Sequence, residues 1–292
     1  MSDIINIMTN TNDIITKIGD SIIQHGKFND RIYLMKLSKE DFPNIIEKLN
    51  KIALKEKYTK IFAKVPEFAK DEFIKDKYVM EAHIPKFYNG YEDVYFMGKY
   101  FSKLRMYNSK IKEINEILDI VKNESIKSEG IKNEDINLPK GFIYKICDKS
   151  HIYQMADIYR KVFETYPFPI HDPQYIAKTM DENFIYFSIQ KDGTIVSLSS
   201  AEMDINYQNV EMTDLATLSE YRGSGFASYL LYEMEDEMRK RDMKIAYTIT
   251  RATLYSINHI LYKMKYKYSG TLLNNTNISG SVESMNVWYK FI

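Results

Sequence analysis

The sequence is poor in the features that mark several large protein classes. Cys147 is the only cysteine among 292 residues, so no intramolecular disulfide can form. That excludes a disulfide scaffold and agrees with a reducing, cytoplasmic setting. Cys147 lies in an apolar strand-like stretch, GFIYKICD, with no assignable histidine partner, and reads as a small buried residue rather than a nucleophile. Net charge is also missing: 40 basic residues balance 40 acidic ones, which leaves no basic field for nucleic acid and no acidic tail. No apolar run approaches the roughly 18–20 residues that span a bilayer. The amino-terminal MSDIINIMTNTNDII lacks a basic segment followed by a continuous apolar block, which argues against a signal peptide. The histidines His25, His83, His151, His171 and His259 show no metal-ligand spacing, so no metal is expected. These absences favour a small-molecule partner over nucleic acid or membrane, with monomer and homodimer both open.

What is present is a chain that is 45% hydrophobic and 27% charged, long enough for two domains of roughly 100–150 residues. Residues 110–122 carry Ile111, Ile114, Ile117, Leu118 and Val121 on one helical stripe. The following KNESIKSEGIKNEDINLPKG is polar and without sustained period, and reads as a linker. The expected division is residues 1–139 and 140–292.

The carboxy-terminal part predicts the order βααββ–βαβ–αββ, a mixed sheet with helices on both faces. Its second helix starts at Asp172-Pro173, with Asp as N-cap and Pro at the first helical position. The strands FIYFSIQ and TIVSLSSAEMD meet at Lys191-Asp192-Gly193, a hairpin signal. The amino-terminal part predicts βαβαββ, an echo of the later part of that order. Its first strand is followed by LSKEDFP, without glycine, so this unit has no phosphate cradle if the echo is real.

The chemistry concentrates in LATLSEYRGSGFASYLLYEMEDEM. A strand ends, the chain turns through Arg222, Gly223, Ser224 and Gly225, and a helix begins with Phe226, Ala227 and Ser228. Backbone N–H groups and the helix dipole at such a junction favour a pyrophosphate. A side chain on the glycines would hold the phosphate off or forbid the turn. The spacing R-x-x-G-x-A is neither a Walker loop nor a dinucleotide fingerprint.

The element order and this loop resemble the Gcn5-related N-acetyltransferase (GNAT) superfamily. The strings MTDLATLSEYRGSG, AYTITRA and SGTLLNNTNISGSVESMNVWYK are most similar to the beta-lysine N-epsilon-acetyltransferases, which make the osmolyte N-epsilon-acetyl-beta-lysine. NDRIYLMKL, YTKIFAKVP and EAHIPKFYNG extend the likeness over nearly the whole chain. The resemblance implies a GNAT fold preceded by a degenerate GNAT-like half-domain. It implies acetyl-CoA as cosubstrate, its diphosphate bound by Gly223 to Ser228 and its pantetheine arm by backbone groups of Leu215, Ala216 and Thr217.

An amine attacks a thioester only when neutral, and a lysine-type ammonium has a pKa near ~10.4, so a base is required. Glu211, where several members of the superfamily place a glutamate, is the first choice and Asp214 the alternative. Strand alternation puts these two on opposite faces unless a bulge intervenes. A backbone N–H near Leu215–Thr217 is the expected oxyanion donor. The resemblance leads to a tyrosine as acid for the departing thiolate, but the usual Asn and Tyr positions fall on Leu254 and Leu261. Lys265 stands where glycine is common, and Tyr262, one residue on, is the candidate acid, with partly buried packing as its alternative. Asn258 is a candidate CoA contact. Lys263, Lys265 and Lys267 read as a solvated face, with the CoA 3′-phosphate as an alternative. For the acceptor, Arg251 is placed against the carboxylate, and Asn274, Asn275, Thr276, Asn277, Glu283 and Asn286 border the site on the closing strands. Turn and hairpin roles are the alternative for each. The competing functions are acetylation of lysine or a polyamine, and a non-catalytic acyl-CoA sensor.

Overall fold

The computed structural model describes residues 13–126 and 136–292. Most of the amino-terminal stretch and the middle of the expected linker lie outside the described residues. The described residues open with β1 (Ile14–Ile18) and β2 (Ser21–Gly26), a hairpin the sequence reading did not foresee. Then follow β3 (Arg31–Lys36), α1 (Asn44–Lys55), β4 (Lys60–Pro66), α2 (Lys70–Lys75), β5 (Val79–Tyr88) and β6 (Glu92–Tyr100). The short α3 (Lys103–Met106) and the longer α4 (Ile111–Ile126) close this part. The second part comprises β7 (Phe142–Ile146), α5 (Ile152–Val162), α6 (Pro173–Glu182), β8 (Phe184–Lys191), β9 (Thr194–Asp204) and β10 (Asn209–Thr217). It ends with α7 (Phe226–Lys240), β11 (Ile245–Arg251), α8 (Tyr255–Lys263), β12 (Lys267–Ile278) and β13 (Ser281–Phe291).

Local chemistry explains several boundaries. The Asp172 carboxylate accepts from the Gln174 N–H at 2.9 Å and Pro173 opens α6. Asp192 and Gly193 both take positive φ, 50° and 79°, as a two-residue hairpin between twisted strands requires.

All the described strands form one sheet in the order β1-β2-β3-β4-β6-β5-β12-β13-β11-β10-β9-β8-β7. Its two ends repeat one pattern. β3 and β4 are parallel across α1, and β4 pairs antiparallel with β6. β10 and β11 are parallel across α7, and β11 pairs antiparallel with β13. The echo seen in the sequence is therefore a repeat of topology, and the equivalent strands β5 and β12 join the halves at Ala82 and Gly270. A Cβ on Gly270 would sit 2.0 Å from the Glu81 carbonyl, so only glycine allows this approach. Beside the seam Lys60, fully buried, pairs with Glu81 at 2.9 Å and donates to the Leu273 carbonyl at 2.8 Å.

The sheet curls, so that its two halves face each other across a shared core. Tyr33, Phe62, Phe87 and Phe96 from the first half pack with Tyr247, Leu272, Met285 and Val287 from the second. Gln24 Nε2 donates to the Pro167 carbonyl at 2.8 Å, and the Asn89 N–H to that of Tyr207 at 2.8 Å. On the opposite face of the second half lie α7 and α8, and α4 joins their core through Ile114, Leu118 and Val121. Cys147 is buried, and burial pushes its thiol up to about 11, which disfavours the nucleophilic thiolate.

Candidate active site

β10 and β11 are hydrogen-bonded only from Asn209/Ile245 to Glu211/Tyr247. β11 continues against β13 as far as Arg251, so the two parallel strands part after Glu211. Beyond that point the β11-facing edge of β10, through Leu215, Ala216 and Thr217, has no strand beside it among the described residues. Unpaired backbone groups on such an edge are what an amide-bearing pantetheine arm needs.

The turn that follows is built for an anion. Gly223 and Gly225 have φ of 81° and 79°, and Gly225 is the N-cap of α7 with no side chain capping it. The Tyr229 N–H bonds to the Gly225 carbonyl at 3.0 Å, so the N–H groups of Phe226, Ala227 and Ser228 precede that helical bond and project from the helix start. A Cβ at either glycine would meet nothing within 4 Å; the left-handed backbone, not crowding, demands glycine here. Phe226 anchors the helix start, buried edge-on against Phe142 with ring centroids 4.8 Å apart. Arg222 stays exposed, its Nε 3.4 Å from the Thr217 carbonyl. The residues present fit the diphosphate of a CoA thioester.

Opposite this edge lies a buried acidic face. β10 bulges between Thr213 and Ala216, and Asp214 has φ of 56°. Asp214 hydrogen-bonds with Ser200 Oγ at 2.5 Å, and Ser200 stands on β9 two residues from Glu202, the cross-strand partner of Glu211. The bulge has thus turned Asp214 onto the face of Glu211, which regular alternation would forbid. Asp214 also accepts from the Tyr166 hydroxyl at 2.5 Å. Burial pushes the Asp214 carboxyl up, against the pull of the Ser200, Tyr166 and Thr213 hydroxyls. Glu211 is raised for the same reason, opposed by Lys64 and Tyr247. Glu202 is pushed up to about 8, by burial first and by the charge of Glu211 second. Three carboxyls with raised proton affinity therefore share one face, with Lys64 of β4 as counter-charge. Its Nζ lies 5.9 Å from the Tyr247 ring centroid.

The other predicted residues are more scattered. Asn274 donates to the carbonyls of Arg105 and Tyr107, at 2.8 and 2.7 Å. Asn277 donates to the Phe28 carbonyl at 2.9 Å. Both side chains tie the two halves of the chain together. Asn286 is fully buried and bonds to Thr271 and Asn258. Asn258 is itself buried, accepting from Trp288 Nε1 and Asn286 Nδ2, both at 2.9 Å. Arg251 Nη1 donates to Ser279 Oγ at 3.2 Å and its Nη2 lies 3.6 Å from Glu283. Asn275 is buried with its Oδ1 unpartnered. Tyr262 stands edge-on to Trp288, and its hydroxyl has no hydrogen-bond partner among the described residues. Leu261 is core, whereas Leu254 is exposed.

Sequence reasoning missed Glu202, Tyr166, Tyr247, Tyr33 and Lys64. Glu202 had a signal: counting outward from the turn at 205–208 sets it opposite Glu211. Tyr33 and Lys64 had none, because they arrive from the other half of the chain.

Residues 152–266 match the acetyltransferase (GNAT) family. The beta-lysine N(6)-acetyltransferase of Methanococcus maripaludis is 43% identical, over 94% of this chain and 98% of that protein. The chain belongs to the beta-lysine N(6)-acetyltransferase family. It is therefore a GNAT enzyme with acetyl-CoA as cosubstrate. A second member, from Methanosarcina mazei, is 32% identical over 86% of this chain and 98% of its own length. Among solved structures, the ribosomal-protein-S18-alanine N-acetyltransferase from Escherichia coli has a TM-score of 0.46 at 13% identity, covering 52% of this chain and 94% of that one. No described helix of this family member is long and apolar enough to cross a membrane.

Proposed function

We propose that this chain transfers an acetyl group from acetyl-CoA to the ε-amine of beta-lysine, giving N-epsilon-acetyl-beta-lysine. The supporting observation is the near full-length likeness to the Methanococcus enzyme of that name. The acidic face beside the parted strands suits an acceptor that arrives as a cation.

Acetyl-CoA supplies the activated acyl thioester, with its diphosphate assigned to the N–H groups from Gly223 to Ser228. Leu215, Ala216 and Thr217 offer backbone groups along the parted edge, including a donor for the developing oxyanion. Glu211 is assigned as the base. An ammonium with pKa near ~10.4 yields its proton more readily to a carboxylate whose own affinity has been raised by burial. Glu202 favours the protonated form of the pair and so assists this transfer. Asp214 holds Tyr166 and Ser200, which fixes the wall of the site. Tyr262 is assigned as acid for the departing thiolate, supported by a hydroxyl that pairs with no described residue. The division at residues 139/140 then gives a catalytic carboxy-terminal unit, while the amino-terminal unit, without glycine between β3 and α1, contributes Tyr33 and Lys64 to the acceptor side.

Turnover of beta-lysine, lysine and spermidine by the purified protein tests the reading. A clear preference for beta-lysine supports it. Preference for lysine or spermidine moves the assignment to that amine, and acetyl-CoA binding without acetylation of any of them establishes a sensor instead.

A further inference from the structure

Arg31 is buried at the edge of the shared core, 3% exposed. Its Nη1 donates to the Asn275 carbonyl at 2.5 Å and to Thr276 Oγ1 at 3.1 Å. Its Nε has no partner, and among the described residues it pairs with no carboxylate. A guanidinium stays charged in a protein, and a buried, unpaired charge is costly. Its surroundings relieve it only in part: Tyr33, Asp13 and Glu81 favour its charge, but more weakly than burial and Arg105 oppose it. Burial, and then the neighbouring Arg105, lower the proton affinity of Arg31 to about 10. Lys60 is a third cation of the cluster, and Glu81 is engaged by Lys60.

The position of Arg31 gives this surplus charge a purpose. Its guanidinium lies 5.5 Å from the ring centroids of both Tyr33 and Phe62, which stack on each other in the shared core. Arg31 and Tyr33 are alternate residues of β3 and so share a face. Burial first, and then the nearby charges of Glu211 and Glu202, raise the pKa of the Tyr33 hydroxyl, which sets it close to both carboxyls. One line therefore runs from the acidic face along the Tyr33 ring to Arg31, roughly 7 Å of strand separating Arg31 from Tyr33. Two more buried polar atoms lie beside it unpartnered, Gln24 Oε1 and Asn275 Oδ1. Gln24 is the cross-strand partner of Tyr33, and its Nε2 is committed to Pro167, which leaves the oxygen free. A cationic donor and two amide oxygens at one end, carboxyls at the other, complement a short chain with a carboxylate and an adjacent amine at one end and an ammonium at the other.

We propose that Arg31 binds the acceptor's carboxylate, making the amino-terminal unit the part of the enzyme that selects an amino acid over a simple amine. This deepens the beta-lysine reading and rests on it. Arg31 is a specificity-determining binding residue, and Gln24 and Asn275 accept from the β-ammonium.

The test is a cycle between enzyme and substrate: wild type, Arg31→Gln and Arg31→Lys, each with beta-lysine and with its carboxamide, beta-lysinamide. Loss of one partner of a buried charge pair is expected to lower kcat/KM at least about 30-fold. Wild type should prefer the acid by that factor. Arg31→Gln should lose it on the acid while acting on the amide within about 3-fold of wild type, and Arg31→Lys should fall between. Equal losses on both substrates would mean a structural role and overturn the proposal. If Arg31→Gln does not fold, Arg31→Lys and the wild-type comparison still decide, because wild type treating acid and amide alike also overturns it. Failure of wild type on both substrates, with turnover of another amine, removes the beta-lysine reading itself; equal turnover of acid and amide removes only the carboxylate site.

Discussion

Replacing Glu202 with glutamine should move the pH dependence of the enzyme without removing its base. Glu202 and Glu211 are directly opposed across β9 and β10, which places their Cβ atoms about 5 Å apart. Two unit charges at that separation, in an effective dielectric of ~20, repel by about 3 kcal/mol, equivalent to about 2 pH units. Lys64 opposes part of this repulsion, so the charge of Glu211 should raise the ionisation of Glu202 by about 1 to 2 units. Glu202 is the carboxyl that the charge of Glu211 raises, to about 8, so the variant should lose this second ionisation of the pair from its kcat/KM profile for beta-lysine. The assay is initial rate at saturating acetyl-CoA from about pH 6 to about pH 10. The same substitution bears on stability. The folded-state pKa of Glu202 is raised, to about 8 from an ordinary 4.5, so the native state binds the extra proton and loses stability as pH rises through that window. Glu202→Gln should therefore melt higher than wild type above pH 8, and the gain should vanish near pH 4. Superimposable rate profiles for variant and wild type would refute the coupling, and with it the assignment of Glu211 as base.

Other substitutions test other parts of the site. Glu211→Gln should lower kcat by at least about 100-fold while leaving acetyl-CoA affinity, measured by calorimetry, nearly unchanged. Gly225→Ala must adopt a left-handed backbone at a cost of about 1–2 kcal/mol, and should lower both the melting temperature and the affinity for acetyl-CoA. Asn258→Ala leaves the buried Trp288 Nε1 and Asn286 Nδ2 without their acceptor, and should cost about 2–4 kcal/mol by urea unfolding.

Much of the fold was legible because its signals are local. The Asp172-Pro173 helix start, the Asp192-Gly193 hairpin and the glycine turn before Phe226 each depend on a few adjacent residues, and each stands where the sequence predicts. The β1–β2 hairpin escaped notice because β1 is almost wholly exposed and IITKI offers little buried pattern. The site was legible only on its own strand. Glu211 and Asp214 were nameable from the segment before the glycine turn, but Asp214 reaches the face of Glu211 through a bulge, which no hydrophobic pattern announces. Arg31, Tyr33 and Lys64 come from strands more than a hundred residues away, brought over by the curl of a sheet joined at Ala82 and Gly270. Asn274 and Asn277 fell within a polar run that suggested ligand contacts, yet their amides bridge the two halves, a tertiary role invisible in one dimension.

The most direct test of the account is mass-spectrometric analysis of beta-lysine incubated with acetyl-CoA and the purified protein. A single product carrying one acetyl group on the ε-nitrogen, with its β-amine free, is the predicted result. Unchanged beta-lysine, or acetylation at the β-amine, would contradict it.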